Sequence, residues 1–224
     1  MNIFARITAR TMKENKTRTI VTIIGVILST AMITAVATLG VTFQRFFIDY
    51  TKEQEGSWHV AGFSLPENEV EKAEKQEETA NSTRVTELGY ALYEALQSPM
   101  MPYLYVQSLS ENTESLVPIT LREGELPKTQ NEVIIPDHLN ANLEEGAQVH
   151  VGDTLSLELG EREYKGERLD QSNSYMGTET EAEESFVPKE KREFRVVGIY
   201  DYSSLVHSIG APGYEVYAGP GNET

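Results

Sequence analysis

Residues 19–43, TIVTIIGVILSTAMITAVATLGVTF, hold no charged side chain over 25 consecutive positions. As an α-helix the stretch reaches about 37 Å, enough to cross a ~30 Å hydrocarbon core with some tilt. Arg18 closes it on one side and Gln44-Arg45 on the other. A buried core helix rarely needs so long an uncharged run, so the pattern predicts one transmembrane helix over 19–44. The competing reading is a cleaved signal peptide, for which Ala35-Val36-Ala37 supplies a small-residue triplet. The apolar run continues six residues past Ala37 and exceeds the usual core of about 7–15 residues. A retained anchor is therefore favoured.

Charge is distributed unevenly around this stretch. Residues 1–18 carry Arg6, Arg10, Lys13, Lys16 and Arg18 against Glu14 alone, a net of +4, so the whole-chain charge of −16 leaves −20 for residues 19–224. Basic residues in a short flank stay on the cytoplasmic side, which predicts an inside N-terminus and an extracytoplasmic bulk in a cell membrane. The acidic balance argues against nucleic acid as a partner. Ile3, Phe4, Ile7, Thr11 and Met12 recur at helical spacing with Arg6, Arg10 and Lys13 opposite. The segment 1–18 thus reads as a basic amphipathic helix facing membrane lipid, or equally as a plain positive flank.

Inside the apolar stretch, Thr22, Gly25, Ser29, Thr30 and Thr34 are small or hydroxylated. Such residues permit close helix–helix approach, which predicts a contact face for another helix within the membrane.

The remainder, 45–224, reads as an α+β extracytoplasmic domain, mixed α/β with a β-rich second half. Helix is expected to continue over Gln44–Glu55, followed by a strand at Trp58–Phe63 and a polar, Glu-rich excursion at 67–82. Val85, Leu88, Leu92 and Leu96 share one helical face, which predicts an amphipathic helix over 85–96. Strands are expected at Tyr103–Val106, Leu116–Leu121, Glu132–Ile135, Val149–Leu159 and Phe194–Tyr200, with a short helix over 137–143 capped by Asp137. Residues 160–190, rich in Glu, read as a mobile polar insertion. Gly213–Thr224 is Gly/Pro-rich and is assigned to no element.

Chemistry-bearing motifs are scarce. With no cysteine, neither disulfides nor thiolate metal sites are available. His59, His138, His150 and His207 share no metal-ligand spacing. No nucleophile elbow, phosphate-binding loop or dinucleotide fingerprint is present. Asn81-Ser82-Thr83 and Asn222-Glu223-Thr224 match the glycosylation sequon, a short pattern common by chance. The expectation is a protein that is not an enzyme and has no catalytic, cofactor-binding or metal site.

Asn15–Thr19, Gly124–Pro127, Asn131–Ile135, Val151–Leu155 and Phe194–Tyr200, taken in order, resemble the extracytoplasmic core of FtsX-like (MacB-type) ABC transporter permeases. Asn15-Lys16-Thr17-Arg18-Thr19 enters the first span at Ile23-Ile24-Gly25-Val26-Ile27-Leu28-Ser29. Gly124-Glu125-Leu126-Pro127 and Asn131-Glu132-Val133-Ile134-Ile135 match a G-x-x-P … N-E-V-I-I segment. Val151-Gly152-Asp153-Thr154-Leu155 and Phe194-Arg195-Val196-Val197-Gly198-Ile199-Tyr200 match its x-G-D-x-L and F-x-V-V-G-I-Y strands. The resemblance implies an outer domain between the first and second spans, a homo- or heterodimer of permease subunits, and a cytoplasmic ABC ATPase partner. ATP is expected on that partner and no cofactor in this chain. It further implies that ATP hydrolysis moves the outer domain, for export or mechanical transmission. The three later spans of such permeases are not in the sequence, so a fragment, a truncated product or half of a split permease is expected. The alternative is a single-span anchored binding or sensory module; a secreted hydrolase ranks third.

Overall fold

The computed structural model describes residues 3–221 apart from 63–64, 112, 114–115, 118, 178–183 and 203–209, with the side chains of 53–55 also outside the description. The chain divides into two units, Met1–Thr51 and Lys52–Thr224.

The first unit consists of α1 (Ile3–Glu14) and most of α2 (Lys16–Glu55). No Pro interrupts α2, and its 40 residues correspond to about 60 Å of helix. Gly56, at φ 103, follows its last residue, the left-handed position at which Gly commonly ends a helix. Helix thus runs through 44–55 as the sequence implies.

The second unit is built from α3 (Glu67–Glu74) and eight strands: β1 Val85–Leu92, β2 Tyr103–Leu109, β3 Leu121–Gly124, β4 Glu132–Pro136, β5 Thr154–Tyr164, β6 Glu167–Leu169, β7 Ser185–Tyr200 and β8 Gly213–Ala218. The chain is α+β, one long apolar helix followed by a mixed, strand-rich domain. The strand order is β3-β7-β4-β8-β2-β1-β5-β6, and β7 also pairs with β5. Six strands, β7, β4, β8, β2, β1 and β5, therefore form a closed ring. Two pairings are parallel, β2–β8 and β4–β7, and the others are antiparallel. Small rings of this size are filled by side chains rather than solvent. Here Ala91, Leu104, Val106, Val133, Ile135, Leu157, Phe194, Val196 and Val216 form one buried cluster with contributions from all six strands. Alternation places Ile134, Val197 and Tyr217 in a second cluster on the opposite face of the sheet, and the register shift where β7 passes Val196–Gly198 brings Tyr200 to the same cluster.

Closure between β1 and β5 rests on a single bridge, Tyr90 to Gly160. A Cβ at Gly160 would lie 2.2 Å from the Val187 carbonyl oxygen, and one at Gly89 2.7 Å from the Gly160 oxygen. Glycine is required at both positions because three backbones meet there.

Several expectations are corrected. Residues 85–92 are strand, not helix: a spacing of four is common to one face of a helix and one face of a strand, and the register shift between Glu87 and Gly89 then parts Leu88, packed on the core, from exposed Leu92. The segment 58–62 is irregular, and Phe63 lies outside the described residues. The strand expected at 116–121 begins only at Leu121, after a turn in which the Leu116 and Val117 amides donate to the Thr113 carbonyl. Asp137 caps no helix; only Asn140–Asn142 form a 3-10 turn, because the carboxylate instead takes Arg122 Nε at 2.8 Å. Residues 149–153 form a turn ahead of β5. The expected insertion at 160–190 contains sheet at both ends: β5 runs to Tyr164, β6 follows, and β7 starts at Ser185. The clustered Glu179, Glu181 and Glu183 lie outside the described residues. Residues 213–218, unassigned by sequence, form β8 in the middle of the sheet.

Candidate functional site

The residues singled out by sequence lie on α1 and α2. Arg6, Arg10 and Lys13 project from α1 and Lys16 and Arg18 from the first turn of α2, all outside any buried cluster. Arg10 Nε meets Glu14 Oε1 at 3.1 Å, one turn on. In the described chain α2 is the one helix long and apolar enough to cross a membrane. Its apolar side chains are exposed around the whole circumference, Val21, Ile24, Ile27, Leu28 and Ile33 among them. A helix apolar all round requires an apolar surrounding.

The five contact-face residues divide into two groups. At about 100° per residue, Thr22, Gly25 and Ser29 fall within about 60° of one another, whereas Thr30 and Thr34 lie roughly 100–150° round the helix. All four hydroxyls donate within α2: Thr22 to Arg18 O at 2.9 Å, Ser29 to Gly25 O at 2.8 Å, Thr30 to Val26 O at 2.9 Å and Thr34 to Thr30 O at 2.9 Å. Their donors are thus satisfied without a neighbour, and only their acceptor capacity is open to another helix.

Among the described residues a Cβ at Gly25 meets nothing within 4 Å, and the same holds for Gly40. A helix-interior Gly costs about 1 kcal/mol relative to Ala. Both glycines fall on the Thr22–Ser29 side. That side continues into Phe43, Phe46, Phe47 and Tyr50, whose rings run on at 5.8 Å (Phe43–Phe47) and 6.0 Å (Phe46–Tyr50). Arg45, Asp49 and Lys52 occupy the opposite side. The alignment of these aromatics with Gly25 is legible by counting in steps of three and four.

The second unit holds three polar features that sequence reading missed. Arg162 is fully buried, donating to Glu184 through Nε at 2.7 Å and Nη2 at 3.0 Å, and to the Asp170 and Asn173 carbonyls at 2.8 and 3.1 Å. Its guanidinium lies 5.1 Å from the Tyr90 ring centre and 5.5 Å from that of Tyr103. Every contact is internal, so the group fastens the 170–176 loop to β5 and offers nothing to a ligand. A shallow polar cleft lies beside Arg84, which Glu74 grips through two nitrogens and Glu67 through a third. With its charge matched twice over, Arg84 is a poor anion site. Glu215 accepts from the Tyr217 hydroxyl at 2.8 Å, and burial pushes its carboxyl above the ordinary range. Among the described residues no cluster of three or more His, Cys, Asp or Glu could hold a metal ion.

The resembling motifs turn out to be scaffolding. Glu132 accepts from the Lys128 and Thr129 amides at 2.8 and 3.1 Å, closing the loop ahead of β4. Asp153 accepts from the His150 amide at 2.8 Å across a turn with Gly152 at φ 104. Gly124 lies so close to β7 that a Cβ would stand 2.1 Å from the Val197 oxygen.

The family model described as the MacB-like periplasmic core domain matches residues 19–218. None of the curated proteins compared matches the chain.

Proposed function

Because the chain belongs to the family of the MacB-like periplasmic core domain, we propose that it is the N-terminal part of an ABC transporter permease subunit whose outer domain is moved by ATP hydrolysis on a cytoplasmic partner. Membership implies an ABC transporter system, and together with α2 it describes a membrane-anchored protein with an extracytoplasmic domain. The observation that carries the mechanical reading is the unbroken course of α2. A bilayer with its headgroups is about 40–45 Å thick, so a helix of about 60 Å extends well beyond it. No non-helical residue intervenes between the apolar stretch and Glu55.

The net +4 of residues 1–18 supports an inside N-terminus. In this reading the face bearing Gly25, Gly40 and the aromatic series packs on a helix of the same or a second permease subunit. Motion imposed at the cytoplasmic end then reaches the outer domain along α2. ATP binds the partner ATPase, and the described residues of this chain supply no chemistry to it.

The test is purification from native membranes in mild detergent, with mass spectrometry of the eluate. An ABC ATPase among the bound proteins supports the permease reading. An eluate that lacks one but retains an envelope protein moves the assignment to an anchored binding module.

A further inference from the structure

We propose that the turn carrying Thr113 and Leu116 is the coupling point at which displacement of the chain leaving α2 is passed to the sheet of the second unit. The inference deepens the mechanical reading above and rests on it. It concerns bonds within the second unit alone, so its test needs no ATPase.

Two residues beyond α2, the Ser57 amide donates to the Leu116 carbonyl at 3.0 Å. The Leu116 amide in turn donates to the Thr113 carbonyl at 3.0 Å, and the Val117 amide to the same oxygen at 2.8 Å. Thr113 is 1% exposed, so the turn hangs on a residue closed to water. A pull on Ser57 therefore arrives at Thr113 through two backbone hydrogen bonds.

From Thr113 the bonds continue through three hydroxyls. Thr113 Oγ1 lies 2.9 Å from the Ser110 carbonyl oxygen and 2.8 Å from Thr83 Oγ1. Thr83 Oγ1 lies 2.8 Å from Ser110 Oγ, and the Arg84 amide donates to Ser110 Oγ at 3.1 Å. A carbonyl only accepts, an amide N–H only donates, and each hydroxyl has one hydrogen to give. One assignment makes all four bonds. Arg84 N–H donates to Ser110, Ser110 to Thr83, Thr83 to Thr113, and Thr113 to the Ser110 carbonyl. Every hydrogen is used once, and bonds aligned in one direction polarise and strengthen one another.

The hydroxyl chain stands at the head of the sheet. Arg84 and Ser110 lie one residue past Val85 and Leu109, the first pair between β1 and β2. The Ser110 amide returns a bond to the Arg84 carbonyl at 3.1 Å. The Arg84 side chain holds Glu67 and Glu74 of α3. Residues 57–84, α3 among them, are thus a strap fastened at both ends to one turn. Ser57, α3 and the head of the β1–β2 pair shift together while the hydroxyl chain is intact, and separately once it is cut.

The test is hydrogen exchange of the full chain in detergent, read at single amides. Thr113→Val keeps the volume and deletes the hydroxyl, and Thr113→Ser keeps the hydroxyl. Thr113→Val is expected to speed exchange at the Ser57 and Arg84 amides alike, by about five- to tenfold for the loss of one or two hydrogen bonds. The amides of β4 and β8 stay as in the parent, and Thr113→Ser returns both reporters to parental rates. Ser57→Pro, which deletes the donor to Leu116, is expected to speed Arg84 exchange in the parent and to add nothing in the Thr113→Val background. Ser57 exchange that ignores Thr113→Val, or additive effects of the two substitutions, overturns the proposal and leaves an ordinary turn. Should Thr113→Val loosen β4 and β8 as well, Ser57→Pro in the parent decides: an unmoved Arg84 amide overturns the proposal, and a faster one supports it. None of these outcomes bears on whether an ATPase co-purifies.

Discussion

Replacing Arg162 with Met should unfold the second unit far more readily than any exposed charge change. Arg162 and Glu184 are both completely buried, with two nitrogens on the two carboxylate oxygens. Removing the guanidinium strands the Glu184 carboxylate, a loss of about 3–5 kcal/mol for a broken buried pair. The Asp170 and Asn173 carbonyls also lose donors, at about 1 kcal/mol each. A total of about 5–7 kcal/mol, at about 2–4 °C per kcal/mol for a unit of this size, lowers Tm by roughly 10–28 °C. Near-UV circular dichroism of the full chain in detergent reads this directly, since Tyr90 and Tyr103 flank the guanidinium. The double variant Arg162→Met with Glu184→Met should recover more than half of the loss, because apolar replacements of buried pairs are often nearly neutral. As a control, removing Glu14 from its exposed pair with Arg10 should leave the melt unchanged. A single variant that melts within 2 °C of the parent, or a double variant no better than the single, would refute the claim that the pair fastens the 170–176 loop.

Gly160→Ala forces β7 to move by more than half an ångström at the Val187 carbonyl. It should cost about 2–3 kcal/mol, read as a Tm drop against Gly146→Ala, where only a positive φ of 88 is at stake. Glu215→Gln should stabilise at neutral pH. The folded carboxyl titrates above its unfolded counterpart because of burial, so the parent is most stable below the unfolded value and loses that contribution as pH rises through the folded one. Denaturant titrations from acid to neutral pH should therefore show a flatter profile for the variant. Gly25→Leu should weaken span association while leaving insertion intact; undiminished cross-linking between spans would count against a contact at Gly25.

The parts of this chain that sequence revealed are those where one interaction dominates. The span needed only a count of uncharged residues, and β4 and the end of β7 announced themselves as apolar runs between Gly and Asn punctuation. Residues 85–92 misled because leucines four apart lie on one face of a helix and equally on one face of a strand. The strands at 160–164 and 185–190 were hidden because their outward faces are charged: Glu161 pairs across the sheet with Val187 and bonds Lys189. Their inward residues Arg162 and Phe186 do not alternate as aliphatics. β8 was overlooked because Gly213 and Gly219 flank it, although Tyr214, Val216 and Ala218 alternate clearly. The basic flank was legible residue by residue. The division of Thr30 and Thr34 from Gly25 follows from helix geometry once the angles are counted.

The position of β8 has a consequence for biogenesis. Among the described strands it comes last in sequence, yet it sits between β4 and β2, pairing Tyr103–Ser108 in parallel with 213–218. Until residue 218 has been translocated, β2 and β4 each keep an open edge, and neither can satisfy it from chain already delivered. Contacts of such long sequence separation form slowly, and open edges invite pairing with other chains. The outer domain therefore spends its synthesis as an unclosed sheet, and its folding is committed by the arrival of a six-residue segment.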